Sequence, residues 1–129
     1  MVFSMMVAKA LMEADFAGVF AAVPSALTCE CPIVVRERGA SRTDHLEGGG
    51  ERGEARVTVL CVRETSNEAE DACYACERAI KARGFTEADT DGEVRVAALD
   101  TTWPEPRGRD GSGRWVWAFD VVLTVARCS

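Results

Sequence analysis

The stretch ARVTVLCVRETSNEAEDACYACERAIKARGF, residues 55–85, decides the fold of this chain. It begins with a period-two alternation that places Val57, Val59 and Cys61 on one face. This alternation is typical of a half-buried β-strand and covers residues 55–64. From there onward the apolar positions recur every three or four residues, which predicts a helix with one buried stripe. The stretch therefore predicts a strand followed by a helix that packs against it.

Both ends of the predicted helix carry sequence signals. Thr65 and Glu68 have the spacing of a capping box, in which side chains of the first turn satisfy free backbone N–H groups. At the other end, Lys81 and Arg83 lie near the negative pole of the helix dipole. Gly84 suits the left-handed conformation that follows many helices. We therefore expect the helix to begin at the capping box and to stop before Gly84.

Further elements are expected on both sides of this unit. An amphipathic helix is predicted first, followed by a strand before the central unit and two strands after it: residues 5–22, 32–38, 93–99 and 114–127. The resulting order is α-β-β-α-β-β. A mostly antiparallel sheet of about four strands, with two helices packed on one face, accommodates this order. We therefore predict a single α+β domain over residues 1–129.

Two segments lack the patterns of helices and strands. Residues 39–54 contain five glycines and one large apolar residue, Leu46, and they predict a long flexible loop. Residues 103–113 combine two prolines with three glycines and predict a turn-rich loop. Loops of this length are often functional, so both are candidates for contacts with partners.

Charge and hydropathy exclude several classes of function. The net charge of −6 disfavours binding to nucleic acid and to anionic membranes. No run of about 18 uncharged apolar residues is present, so no transmembrane helix is predicted. Lys9, Glu13 and Asp15 interrupt the apolar start of the chain, which is atypical of a secretory signal. We therefore expect a reducing cytoplasm and free thiols.

The chain has six cysteines: Cys29, Cys31, Cys61, Cys73, Cys76 and Cys128. Besides simple burial in the core, they allow two alternatives, redox chemistry and zinc binding. Cys73 and Cys76 form a CxxC motif, but they lie about two turns inside the predicted helix and on its apolar stripe, which favours core packing over redox chemistry. Cys29 and Cys31 could join them in a four-thiolate zinc site, although such sites place their CxxC on a turn. A small zinc-binding or thiol-redox protein is the alternative function.

No set of residues predicts catalysis or a cofactor site. The only histidine, His45, lies beside Leu46 in the first predicted loop, and no phosphate-binding or nucleophile motif is present. The second loop and the strand after it are instead rich in tryptophan and arginine, which dominate protein-binding hot spots. These residues are interface candidates, together with His45 and Leu46: Trp103, Arg107, Arg109, Asp110, Arg114, Trp115 and Trp117. The competing interpretation is a solvated loop whose tryptophans cover the edge of the core.

Several segments resemble a known family in their order and character: CPIVVRE, EARVTVLCV, TSNEAE, ARGF and RWVWAFDVVLTV. The chain resembles the small tail terminator, or tail-completion, proteins of the head–tail connection region of tailed phages and prophages. The resemblance implies an α/β domain that assembles into a hexameric ring, caps the tail tube and presents a surface to the neck proteins. It implies neither enzymatic activity nor a cofactor.

The same resemblance implies the partners and the location of the protein. The expected partners are further copies of the chain, the tail tube protein and the neck or connector proteins. Assembly would take place in the host cytoplasm, and the product would lie in the tail or neck of the virion. Residues 39–54 and 104–113 are the candidates for contacts between subunits or with the tube. A neck or head-completion protein of the same module is a further alternative.

Overall fold

The computed structural model describes residues 3–21, 32–45, 51–90, 92 and 94–127. These residues form two helices, six strands and a short 3-10 helix at Glu87–Thr90. The helices are α1 (Phe3–Glu13) and α2 (Ser66–Arg83). The strands are β1 (Val19–Phe20), β2 (Ile33–His45), β3 (Glu51–Arg63), β4 (Arg95–Thr101), β5 (Glu105–Arg109) and β6 (Trp115–Arg127). The predicted α+β class is confirmed.

The described strands form one sheet, in the order β1-β2-β3-β6-β4, with β5 also pairing with β6. The pairing of β1 with β2 is parallel, and the other pairings are antiparallel. β3 and β6 pair along their whole length, from Glu51 opposite Arg127 to Arg63 opposite Trp115. β4 and β5 share the outer side of β6. The mostly antiparallel sheet is confirmed, but the prediction of about four strands is wrong, because six are present in the described residues.

The first predicted loop is mostly strand. Residues 39–45 extend β2 and residues 51–54 extend β3, while residues 46–50 lie outside the described residues. The prediction failed because these residues carry no apolar alternation. Their extended conformation comes from backbone pairing: residues 39–45 pair with residues 51–56 of β3, and residues 51–54 pair with β6, whose apolar pattern continues to Val125. The irregularity between Glu37 and Gly39, where Gly39 has φ of +108°, marks the point where the pattern of the sequence changes.

The second predicted loop also contains a strand. β5 pairs with the first part of β6 through residues 105–109, with an irregularity between Pro106 and Gly108. Proline lacks a backbone N–H, and it is tolerated here because no described strand pairs with the outer side of β5. The turn-rich sequence therefore contains an edge strand, β5. The loop predicted for residues 103–113 is shorter than expected, because residues 105–109 form this strand.

The first helix is shorter than its apolar pattern predicts. It ends at Glu13, and Asp15 and Gly18 then take positive φ angles of 68° and 70° before β1 begins. Residue 22, the predicted end of the helix, lies outside the described residues. The apolar residues after the helix end still pack against the core through Phe16 and Val19. The apolar spacing of the sequence therefore continues beyond the end of the helix.

The core lies between the sheet and both helices. One face of the sheet contributes fully buried side chains from β3 and β6, such as Val57, Val59 and Phe119. α2 contributes its predicted stripe of small residues, and α1 contributes Val7 and Leu11. The described helices are too short or too polar to span a membrane.

The ends of α2 follow the sequence signals. The hydroxyl of Thr65 accepts a hydrogen bond from the backbone N–H of Glu68 at 3.2 Å and donates one to its carboxylate at 3.0 Å. Gly84 has φ of 65°, and its N–H donates to the carbonyl of Ile80 at 2.9 Å. The expected start and end of this helix are confirmed.

Candidate interaction surface

The opposite face of the sheet, called here the helix-free face, carries a second set of apolar side chains. Its members alternate with the core residues of the same strands: Val34, Leu60, Val62, Val116 and Ala118. Both described helices pack on the other face. The alternation in residues 55–64 predicts a half-buried strand with one apolar face. Leu60 and Val62 make the helix-free face of this strand apolar too. Val34, Val62 and Ala118 on this face are buried, whereas Leu60 and Val116 are half-buried and leave part of the face open to a partner.

A groove lies between the helix-free face and the turn that joins β5 to β6, residues 110–113. We call it the sheet groove; its volume is about 470 Å³. Apolar side chains line most of it, and Arg36 and Arg114 supply the basic groups. The complete lining is Pro32, Val34, Arg36, Leu60, Val62, Asp110, Gly111, Ser112, Arg114 and Val116.

The turn beside the sheet groove is held by Asp110. One carboxylate oxygen accepts hydrogen bonds from the backbone N–H groups of Ser112 and Arg114, at 3.0 and 2.9 Å. The other oxygen accepts from the Arg114 guanidinium, at 3.0 and 2.9 Å. Partial burial acts to raise the pKa of Asp110, but the hydrogen bonds from Arg114 and Ser112 outweigh it and leave the pKa below its usual value. The turn is therefore fixed by charge-assisted hydrogen bonds.

Arg36 places a second basic group beside the sheet groove. Its side chain is exposed, and no carboxylate among the described residues pairs with it. The charges of Asp110 and Arg114, in contrast, compensate each other at 2.9 Å. A ligand or partner that enters the sheet groove therefore meets an apolar surface with one available guanidinium.

Five of the predicted interface residues make contacts within the chain. Trp117 packs against the core, and its indole Nε1 donates to Ser66 Oγ at 3.0 Å. Trp115 is partly buried, and the Arg109 guanidinium lies 4.6 Å from its ring centre. Asp110 and Arg114 form the turn described above. Trp117 thus contacts the core, whereas the contact shown for Trp115 is the one with Arg109.

Trp103 is the predicted interface residue that projects most. It lies between β4 and β5, and 85% of its surface is exposed. Arg107 is also exposed and pairs with Glu105 at 3.3 Å. Of the candidates in the first predicted loop, His45 is the last residue of β2, and Leu46 lies outside the described residues. The interface prediction stays a prediction, now centred on Trp103.

Three thiols meet in the core between β3 and α2, a grouping that sequence analysis missed. Cys61, Cys73 and Cys76 are free and buried, and the Sγ atoms of Cys61 and Cys76 lie 4.0 Å apart. Hydrogen bonding with Cys61, together with burial, raises the pKa of the Cys73 and Cys76 thiols. The Cys73 and Cys76 thiols therefore stay protonated and behave as apolar core groups.

The zinc site considered from sequence has only half of its ligands in the described part of the chain. Cys73 and Cys76 belong to the thiol group in the core, whereas Cys29 and Cys31 lie outside the described residues. Among the residues that the structure describes, no group of three or more histidine, cysteine or acidic side chains could hold a metal ion.

Comparison with known proteins identifies the family. The sequence model of a family described as "Bacteriophage tail terminator protein" matches residues 7–127, which include most of α1, all of α2 and the six described strands. The chain belongs to the bacteriophage tail terminator family. The resemblance noted from the sequence is confirmed, and the chain is a structural protein of phage tails.

Two further comparisons complete this picture of the tail terminator chain. A solved structure titled "Virion of native gene transfer agent (GTA) particle" aligns with a TM-score of 0.48 and 15% sequence identity. The alignment covers 97% of this chain and 95% of the other chain. A search of curated proteins found no match. In the described part of this tail terminator protein, Trp103 is exposed and the sheet groove is lined mostly by apolar side chains.

Proposed function

We propose that the chain assembles into a ring, with six copies, that caps the phage tail tube and joins it to the neck. One observation carries the proposal beyond family membership. The most exposed large apolar side chain, Trp103, stands beside β5, an edge strand whose five residues are all exposed. Monomeric proteins usually protect such edges, so an open edge next to an exposed tryptophan suits a chain that binds other chains.

The proposed role is structural and requires no catalysis or cofactor. Many charged side chains in the described residues serve the fold itself. Arg83 bridges Asp89 and Glu13 at the ends of the two helices, at 2.8 and 3.0 Å. Arg56 and Thr58 both bond to Asp120 on the helix-free face. These charged side chains form ion pairs and hydrogen bonds within the chain. This is consistent with a protein whose role is to bind other proteins.

We assign the partners by position. The β4–β5 edge with Trp103 is proposed to contact a neighbouring copy. The end of β2 at His45, together with residues 46–50, is proposed to contact the tail tube or the neck proteins. Assembly would take place in the host cytoplasm, before the ring becomes part of the virion tail.

The test is capping of tail tubes in solution. The purified chain is added to polymerising tail tube protein of the same phage, and tube lengths are measured by electron microscopy. We expect density at one end of each tube and shorter tubes as the chain concentration rises. An unrelated acidic protein of similar size is the control. Unchanged tube lengths, or chains bound along the tube wall, would refute the capping role.

A further inference from the structure

The surface of this chain carries an apolar projection and an apolar recess at separate places. The projection is Trp103, which is 85% exposed between β4 and β5. The recess is the sheet groove, on the helix-free face over β2, β3 and the start of β6. An exposed large apolar side chain and an uncovered apolar groove both lose contact with water when a partner binds, so each favours association.

We infer that Trp103 of one copy inserts into the sheet groove of a neighbouring copy, and that this contact closes the ring. The inference rests on the proposed ring and identifies its subunit contact. The volume of about 470 Å³ lies within the range of roughly 300–1,000 Å³ of pockets that enclose whole small ligands. An indole ring is smaller than most such ligands and fits this space. Tryptophan is also among the residues most enriched in binding hot spots.

The Trp103 side chain cannot fill the groove of its own chain. The backbone N–H of Thr102, the preceding residue, donates to the carbonyl of Asp120 on the outer side of β6, at 3.0 Å. Asp120 is four residues from Val116, the nearest β6 residue of the groove lining, which corresponds to about 13 Å along the strand. The groove also extends across β3 to β2, on the far side of β6 from Trp103. In this structure Trp103 lies outside the groove of its own chain, and the occupant that we infer is Trp103 of a second copy.

Charge complementarity supports a second copy of the chain as that occupant. Arg36 in the sheet groove has no carboxylate partner among the described residues. Glu105 lies two residues after Trp103, and its pairing with Arg107 at 3.3 Å is an exposed one. Exposed pairs contribute little, so the Glu105 carboxylate can exchange Arg107 for Arg36 of the neighbour. Insertion of Trp103 thus brings a free guanidinium and an acidic side chain together, which sets the orientation of the two copies.

The geometry also specifies the symmetry. The projection and the recess are different surface patches. Each copy therefore inserts its Trp103 into one neighbour and binds the Trp103 of another neighbour in its sheet groove. Such a head-to-tail contact builds a ring when its rotation closes and a filament when it does not. A two-fold dimer would instead place the same patch on both sides of the contact.

The first test removes the projection. We expect Trp103→Ala to keep its fold, because the side chain is 85% exposed, and to weaken self-association by about 30-fold or more. Tyr74→Ala removes the exposed aromatic ring of α2 and is the matched control, with no effect expected. Association is measured by sedimentation velocity, and folding by circular dichroism. If the wild-type chain forms a ring and Trp103→Ala forms it equally well, the contact is refuted and the ring is retained.

The second test mixes two defective variants. Leu60→Glu places a charge in the groove lining at a half-buried position outside the core, while Trp103→Ala lacks the projection. Each variant alone should stay monomeric. An equimolar mixture should form a heterodimer and stop there, because only one intact projection and one intact groove can meet. A mixture that stays monomeric, or that forms full rings, would overturn the inference.

The third test exchanges charges. Arg36→Glu and Glu105→Arg should each weaken association, and the double variant should recover most of it. Arg38→Glu, at an exposed position of the same strand, is the control for net charge. If the loss of association free energy in the double variant equals the sum of the losses in the two single variants, the Arg36–Glu105 pairing is refuted. A wild-type chain that does not associate, alone or with tail tubes, would instead refute the ring on which the inference rests.

Discussion

The indole Nε1 of Trp117 on β6 donates a hydrogen bond to Ser66 Oγ, at the first residue of α2, over 3.0 Å. This bond joins the start of the helix to a strand 51 residues further along the chain. Trp117 is partly buried against the core, so its N–H would lose its partner if Ser66 were removed. The bond therefore fixes one end of α2 on the sheet.

Ser66→Ala should lower the free energy of unfolding by about 1–2 kcal/mol, because it leaves the Trp117 N–H without its partner. Urea unfolding followed by tryptophan fluorescence measures the change. Asn67→Ala, at the next and exposed position of the same helix turn, is the matched control. Equal stability of the two variants would show that the Trp117–Ser66 bond does not stabilise the fold.

The Arg83–Asp89 ion pair should make the free energy of unfolding depend on pH. A hydrogen bond from Arg83, together with one from the backbone N–H of Thr86, lowers the pKa of Asp89 from 3.8 to about 2. Because the folded pKa lies below the unfolded value, the stabilisation is fully present above about pH 4 and disappears as the pH falls towards 2. We expect Asp89→Asn to cost about 1–2 kcal/mol at pH 7, since both side chains are partly exposed.

The pH series is measured by chemical denaturation of the wild type and of Asp89→Asn between pH 7 and pH 2. The difference in stability should shrink across the acidic end of this range. Asp71→Asn, on the exposed side of α2, controls for the change in net charge. A difference that stays constant down to pH 2 would contradict the ion-pair account.

The thiols of the core should be inert in the folded chain. Replacing Cys29, Cys31 and Cys128 by serine leaves Cys61, Cys73 and Cys76, all of them buried. We expect negligible reaction of this variant with a thiol reagent under native conditions, and reaction of three thiols after unfolding, because reactivity requires an accessible thiolate. Reaction in the native state at the rate of a free small thiol would show that the group is open to solvent.

Asp110 should control the turn beside the sheet groove. Asp110→Ala removes the acceptor for two backbone N–H groups and for the Arg114 guanidinium, so we expect a loss of about 1–2 kcal/mol in unfolding free energy. Ser112→Ala is the matched control, because Ser112 enters this network through its backbone N–H. Thermal unfolding of the two variants measures the difference. A stability loss in Ser112→Ala equal to that in Asp110→Ala would refute the role of the carboxylate.

The central unit could be predicted because local and tertiary signals agree in it. The alternation of Val57, Val59 and Cys61 follows the core face of β3, and the capping residues Thr65 and Gly84 mark both ends of α2. Residues 39–45 and 51–54 could not be predicted as strand, since their pairing depends on the backbone of neighbouring strands and not on their own side chains. Strand formation of this kind is set by tertiary context.

The candidate surface was predictable only in part. An exposed Trp103 follows from its place in a turn-rich segment, whereas Trp115 and Trp117 alternate on one face of β6 and pack inward. The sheet groove requires Val34, Leu60 and Val116 to meet across three strands, and that register is invisible in a single sequence. The contact of Cys61 with Cys76 depends instead on how α2 packs against β3.

The central claim is that the chain forms a closed ring, and the mass of the assembled protein tests it most directly. The mass is measured by sedimentation velocity and native mass spectrometry in reducing buffer, over a wide concentration range, alone and with tail tubes. We predict a discrete species of six chains, free at high concentration or bound at the tube end. A chain that remains monomeric under every one of these conditions would contradict the account.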